Sequence, residues 1–270
     1  MFARISDSRN PIYSESQGQG EDVMLVHGWG MHGGFFREFQ EELARGYRVT
    51  RLDLPGHGRS AAIENYAPEN IATLLAEAAP KSAHWIGWSL GATLVSYLSE
   101  GFPERVKTIG LIAGNPKFSR APDWPHAIST EVLDQFKCNV CEDFTGAILR
   151  FLKIQTFGLE YPMETYRFLK ERLHECEAPE PRALSAGVDI LKSADRRAQF
   201  KKLAKPIRIL LGTEDSLVPV EVGEALISLN PAIEVSVIQQ AGHIPFITHR
   251  ERCLAEVRRF LVTHGANPNA

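Results

Sequence analysis

The chain has 270 residues, is 44% hydrophobic and 23% charged, and carries a formal net charge of -3. That length suits one large domain, or one domain with an inserted subdomain. The slightly acidic balance excludes the broad basic surface of a nucleic-acid binder. No run of about 18 apolar residues occurs and residues 1–23 lack an apolar leader core, so neither a membrane span nor a signal peptide is expected. A cytoplasmic monomer is the expectation.

In chain order, "VMLVHG" (23–28), "YRVTRLDLPG" (47–56), "AHWIGW" (83–88), "VKTIGLIAG" (106–114), "PIRILLGTED" (206–215) and "IEVSVIQQAG" (233–242) read as six strands. Helical patterns fall at 35–45, 69–79, 90–101, 220–229 and 249–263. The last has a capping-box signal, Thr248 with Glu251 three residues on, which would make His249 the first helical residue. Strand–helix alternation of this kind predicts an α/β fold with a mostly parallel sheet flanked by helices, whose ligand sites lie at the carboxyl ends of the strands. The alternation stops between Phe118 and Lys202. More than eighty residues without a strand is too long for a loop, so 118–202 is expected to be an inserted helical cap, with 1–117 and 203–270 forming the core.

Gly87-Trp88-Ser89-Leu90-Gly91 matches G-x-S-x-G with a strand before it and a helix after it. The glycines permit a sharp turn that holds the hydroxyl at a helix N-terminus, where the dipole favours developing negative charge. A serine needs a base to take its proton, and nine histidines are available. His243 follows the sixth strand, at a carboxyl end. His84 lies at the opposite end of its strand, His126 and His174 lie in the cap, His249 opens a helix, and His264 is near the tail. His27 is read as a prop for its own loop and His57 as a shaper of the "DLPGHGRS" turn. Asp215, just past the fifth strand, would orient His243. The neighbouring Glu214 and Asp53 compete, but the order serine, acid, histidine favours Ser89, Asp215 and His243. The Leu90 and Trp29 N–H groups are the expected oxyanion donors, Trp29 from the glycine-rich "HGWGMHGG" loop.

The spacing Cys138-Asn-Val-Cys141 has no second pair or His-x-x-His to complete a zinc site, so reduced thiols are expected and neither metal nor cofactor.

The motifs "HGWG", "DLPGHGRS", "GWSLGA" and "GTEDSLVP…AGHIPF" resemble the α/β-hydrolase superfamily over nearly the whole chain. More narrowly, "LVHGWGMHGG", "NPKFSRAPDWPHA", "RFLKIQTFG", "GVDILKSADRR" and "AGHIPFITH" resemble the pimeloyl-[acyl-carrier protein] methyl ester esterases of biotin synthesis. The resemblance implies a serine carboxylesterase that frees the pimeloyl carboxylate, with acyl carrier protein bearing the substrate. It implies substrate contacts at Trp29, Ser89, Leu90, His243 and the run Phe151, Leu152, Lys153, Ile154 and Gln155. It also implies carrier contacts at Arg150 and Arg167. Gly146 and Met163 stand where the best-known relative carries arginines, which weakens the implied carrier contact.

The pattern of 142–157 fits such a role. Phe144, Ala147, Ile148, Phe151, Leu152 and Gln155 share one helical face, and Arg150 and Lys153 share the other. A plain cover helix with a solvated outer face has the same pattern. Three other functions compete: a broad short-chain esterase with no carrier, a triad lyase of the menaquinone-pathway type, and a binding module that has lost catalysis. Serine at position 89 argues against the dehalogenases and epoxide hydrolases, whose nucleophile is an acid.

Overall fold

The computed structural model describes residues 3–4 and 10–265. Eight strands form one sheet in the order β1-β2-β4-β3-β5-β6-β7-β8. The strands are β1 (Ala3–Arg4), β2 (Ser14–Gln17), β3 (Asp22–Val26), β4 (Arg48–Leu52), β5 (Ala83–Trp88), β6 (Val106–Ile112), β7 (Ile207–Gly212) and β8 (Ile233–Ile238). From β4 to β8 the pairing is parallel, whereas β1 and β2 add an antiparallel edge. Residues Val23–Val26, Ala83–Trp88 and Ile207–Gly212 are buried throughout, as strands covered on both faces must be.

The six expected strands are all present. The edge pair was not foreseen. β2 reads Ser-Glu-Ser-Gln, with no apolar run to announce it. It is held instead by cross-strand polar contacts, such as Ser16 Oγ to Thr50 Oγ1 at 2.7 Å.

The crossovers place the helices. β3 leads through α1 (Arg37–Leu43) to β4 on one side. β5 leads through α3 (Leu90–Gly101) to β6 on the other. Right-handed crossovers running in opposite directions put α1 and α3 on opposite faces of the sheet. Accordingly α1 packs against α11 (Arg250–His264), and α3 against α2 (Pro68–Glu77). The strands β3 and β5 are neighbours, with Val26 opposite Gly87. Loops leaving their carboxyl ends diverge, which opens a crevice at the centre of the sheet. Ser89 and the 27–34 loop border it.

Between β6 and β7 lie five helices: α4 (Thr130–Glu142), α5 (Phe144–Gln155), α6 (Pro162–Leu173), α7 (Pro181–Ser193) and α8 (Arg197–Lys202). The only β pairings described there are two isolated bridges, Ser119 with Ile128 and Ala121 with Trp124. Helix α4 packs on α5 and α7, α5 on α6, and α7 on α3. After β7 come α9 (Val222–Leu229) and, after β8, the short turn α10 (Pro245–Thr248).

The start of α11 corrects the expected capping box. Pro245 opens α10, so Thr248 already sits inside a helical turn and its hydroxyl donates to the Ile244 carbonyl at 3.2 Å. The N-cap of α11 is His249, which makes no side-chain cap bond.

Candidate active site

Ser89 joins β5 directly to α3, with φ 54° and ψ -116°. Such a conformation costs a non-glycine residue about 1–3 kcal/mol. Its surroundings enforce it. The Ser89 N–H donates to the Ile112 carbonyl at 3.0 Å, fixing the turn to the end of β6. A Cβ on Gly91 would lie 2.3 Å from the Val26 carbonyl oxygen, so only glycine lets the first turn of α3 approach β3 this closely. Leu90 is the first residue of α3, so its N–H is one of the donors without an intrahelical partner.

His243 and Asp215 come from the loops after β8 and β7. Those loops are stitched together by the Glu214 N–H on the Ala241 carbonyl at 2.9 Å. His243 Nδ1 lies 2.9 Å from Asp215 Oδ2. The other carboxylate oxygen accepts the Leu217 and Val218 N–H groups, at 2.8 and 3.0 Å. The Asp215 carboxylate is thus held by three bonds, and the His243 Nδ1–H is directed at it. The Trp88 indole N–H grips the His243 carbonyl at 2.9 Å, tying the histidine to the residue before Ser89. His243 Nε2 is buried and without a hydrogen-bond partner among the described residues. A contact between serine and base that tightens only on substrate binding is common in unliganded enzymes.

The 27–34 loop runs beside Ser89: a Cβ on Gly28 would sit 3.3 Å from the Ser89 Cβ. His27 accepts the Leu54 N–H at Nε2, 2.8 Å, which leaves Nδ1 to donate to the Gly28 carbonyl at 2.8 Å. Burial, with His57 nearby, lowers its pKa to about 3, so the ring is neutral. His32 accepts the Gly34 N–H at Nδ1 and donates from Nε2 to the Arg172 carbonyl, 2.9 Å. The indole N–H of Trp29 donates to the Leu184 carbonyl of α7 at 2.8 Å. Among the described residues, no hydrogen bond engages the Trp29 backbone N–H.

The competing acids are otherwise occupied. Asp53 is buried and accepts the Gly33 N–H at 2.6 Å and the Arg59 N–H at 2.9 Å. Burial raises its pKa, Arg59 and those bonds lower it, and the carboxyl stays below its usual range. Glu214 takes a 3.2 Å bond from the Thr213 hydroxyl. His84 bonds Thr108 at the far end of β5, and His57 Nδ1 donates to the Pro55 carbonyl.

The run 151–155 divides. Phe151, Leu152 and Gln155 are buried, whereas Lys153 and Ile154 point outward. Phe151 lies edge-on to Trp29 at 5.2 Å between ring centroids and 6.5 Å from the His243 ring. Lys153 and Ile154 line an outer groove of about 500 Å³ with Arg150, Phe157 and Ser216. The five are therefore not brought to one place. Arg150 on α5 and Arg167 on α6 are both exposed, on adjacent helices.

A profile of the alpha/beta hydrolase family matches residues 23–256. The chain belongs to the alpha/beta hydrolase family. This hydrolase is 38% identical over 252 residues to the pimeloyl-[acyl-carrier protein] methyl ester esterase of Methylococcus capsulatus, covering 93% of this chain and 99% of that one. It is 34% identical over 255 residues to the esterase of the same name from Aliivibrio fischeri, covering 94% and 99%. Among solved structures, the esterase EaEST of Exiguobacterium antarcticum superposes with a TM-score of 0.86 at 20% identity, covering 97% of this chain and 99% of that one, which shows a shared fold.

Two contributors to the site are not among the expected site residues, although Gly187 opens the "GVDILKSADRR" stretch. Phe136 of α4 packs against Trp29 with centroids 4.7 Å apart, and Gly187 of α7 lies over the same indole. The apolar face of each helix marks it as buried, but periodicity does not say against what. Among the described residues no group of three or more His, Cys, Asp or Glu side chains is placed to hold a metal. No described helix is long and apolar enough to cross a membrane.

Proposed function

We propose that this hydrolase cleaves the methyl ester of a pimeloyl chain carried on acyl carrier protein, giving methanol and the free carboxylate. It is a carboxylic ester hydrolase, with Ser89 as nucleophile, His243 as base and Asp215 as its orienting acid. The bond from Asp215 to His243 Nδ1 carries this reading, because it leaves Nε2 as a buried base in the crevice that Ser89 borders.

In acylation, Ser89 Oγ attacks the ester carbonyl carbon while His243 Nε2 takes the hydroxyl proton. The tetrahedral oxyanion is stabilised by the N–H groups of Leu90 and Trp29. The intermediate collapses and the same proton passes from His243 to the methoxide, which leaves as methanol. Water, deprotonated by His243, then attacks the acyl-serine. Its collapse releases the carboxylic acid and returns the proton to Ser89.

Residues 118–202 act as a cap on the core formed by 1–117 and 203–270. The buried Phe151 and Gln155 face the acyl chain, while Arg150 and Arg167 meet the acidic carrier. The relatives' names support this substrate, and the exposed basic positions on α5 and α6 support the partner. The deciding experiment is complementation of a biotin-requiring strain that lacks its own pimeloyl methyl ester esterase, paired with methanol release from the purified carrier-linked ester. Growth and methanol release are expected. Hydrolysis of short free esters without either would favour the broad esterase.

A further inference from the structure

The 27–34 loop is buried throughout and is fastened to two different bodies. His27 ties it to the core through Leu54. Trp29 and His32 tie it to the cap, each by a ring N–H donating to a helix carbonyl, Leu184 and Arg172 respectively. Trp29 is 1% exposed, and its ring contacts come from the cap: Phe136 of α4, Phe151 of α5 and Gly187 of α7. A Cβ built on Gly187 would lie 2.7 Å from Trp29 Cδ1 and 3.2 Å from Leu90 Cδ2. One bare helix position thus faces the side chains of both residues whose N–H groups serve the oxyanion.

We infer that helix α7 positions the oxyanion hole: the Leu184 carbonyl and the absent side chain of Gly187 set Trp29, and through it the loop N–H that receives the developing negative charge. This rests on the serine-hydrolase reading above and adds to it that the cap is part of the catalytic geometry as well as a cover. Neither residue touches substrate; both are positioning residues. A donor displaced by even an ångström loses much of its effect on the transition state while leaving ground-state binding nearly intact.

On helix propensity alone, Gly187→Ala is a favourable change in the middle of α7. Against Trp29 it is a clash. The test uses the full-length protein, p-nitrophenyl butyrate as substrate and phenylboronic acid as a mimic of the tetrahedral anion. For Gly187→Ala, kcat is expected to fall by at least about tenfold with KM within about twofold of wild type, and the boronate inhibition constant to rise in proportion to the loss of kcat. Trp29→Phe keeps a ring but removes the bond to Leu184, and should show the same pattern. It also decides the matter if Gly187→Ala does not fold.

Unchanged kcat and boronate affinity in the folded variants would overturn the inference. So would a rise in KM at constant kcat, which would make α7 only a wall of the substrate pocket. Ser89→Ala in the same assay separates the two levels. If it is dead while Gly187→Ala and Trp29→Phe behave as wild type, the nucleophile stands and the positioning role falls. Turnover surviving Ser89→Ala overturns both.

Discussion

On the sheet side of the crevice, geometry is set by backbone meeting backbone. The Ser89 N–H reaches the Ile112 carbonyl, and Gly91 presses against the Val26 carbonyl. On the side of helices α4–α7 it is set by side chains. Trp29 is wedged among Phe136, Phe151 and Gly187, while Arg150 and Arg167 are exposed on the outer surface. A backbone contact tolerates almost no change, so it leaves a local signature in the sequence. Side-chain packing can be solved in many ways, so it leaves only an apolar face. The two sides of one site should therefore respond differently to substitution, and that difference can be tested.

The largest effect belongs to the triad. Ser89→Ala and His243→Ala should each lower kcat on p-nitrophenyl butyrate by about 10⁵-fold or more, with circular dichroism unchanged. Asp215→Asn should cost about 10⁴-fold through the wrong imidazole tautomer. Glu214→Gln and His249→Ala should stay within about twofold of wild type, since neither contacts His243. A crippled Glu214→Gln beside an active Asp215→Asn would reassign the acid.

This contrast also accounts for what could be read beforehand. Ser89, Asp215 and His243 each follow a parallel strand, and for the first two the runs 83–88 and 206–215 announce a buried one by composition alone, whereas β8 before His243 is a half-buried edge strand. Ser14–Gln17 does not, because this strand, between β1 and β4 near the margin of the sheet, is only partly buried and has no apolar residues. The capping-box reading at Thr248 failed because Pro245 had already begun a helical turn, and a four-residue spacing cannot tell the start of a helix from the end of the turn before it. The resemblance implies contacts along the whole run 151–155, whereas a helix turns successive residues about 100° apart and sends Lys153 and Ile154 outward. The pairing of Trp29 with α7 had no local signal, since its partners lie about 155 positions away.

The next effect is a loss of stability in acid, from the core side of the 27–34 loop. His27 and His57 are fully buried, and burial, the main cause in each, lowers their pKa values to about 3 and about 4 from 6.5. Below pH 6.5 the unfolded chain takes up protons that the folded protein refuses, so stability falls as pH drops from 6.5 toward those values. By pH 5 each ring should cost about 2 kcal/mol relative to pH 7.5. Urea midpoints at the two pH values measure this together with the smaller contributions of His32 and His84, whose pKa values burial also lowers, and His57→Asn should remove about 2 kcal/mol of the difference. A flat profile would mean that the rings are protonated in place.

Glycine positions sharpen the comparison along a single helix. Gly91 lies in the first turn of α3 and Gly101 ends it, yet a Cβ meets the Val26 carbonyl at 2.3 Å in the first case and nothing within 4 Å in the second. Gly91→Ala should destabilise by about 3 kcal/mol, and Gly101→Ala should be neutral or mildly stabilising. Thermal midpoints of the two variants read this directly. Equal shifts would show that the α3–β3 contact relaxes more easily than its distances imply.

The smallest effect is expected at the outer surface of α5 and α6. Arg150 makes only a 3.8 Å ion pair with Asp143, both side chains more than half exposed, so little of its charge is spent within the protein. Exposed charges steer an encounter and are screened by salt. Reversing both cations, as Arg150→Glu with Arg167→Glu, should raise KM for the carrier-linked ester about tenfold at low ionic strength. Added salt should slow the wild type and leave the variant nearly unaffected. Hydrolysis of p-nitrophenyl butyrate should hold within about twofold, because a small ester does not meet that surface. Unaltered carrier-linked turnover would make α5 and α6 a cover without a docking role and strengthen the broad-esterase alternative. Parallel losses on both substrates would instead point inward, through Phe151 on the opposite face of α5, to the packing that holds Trp29.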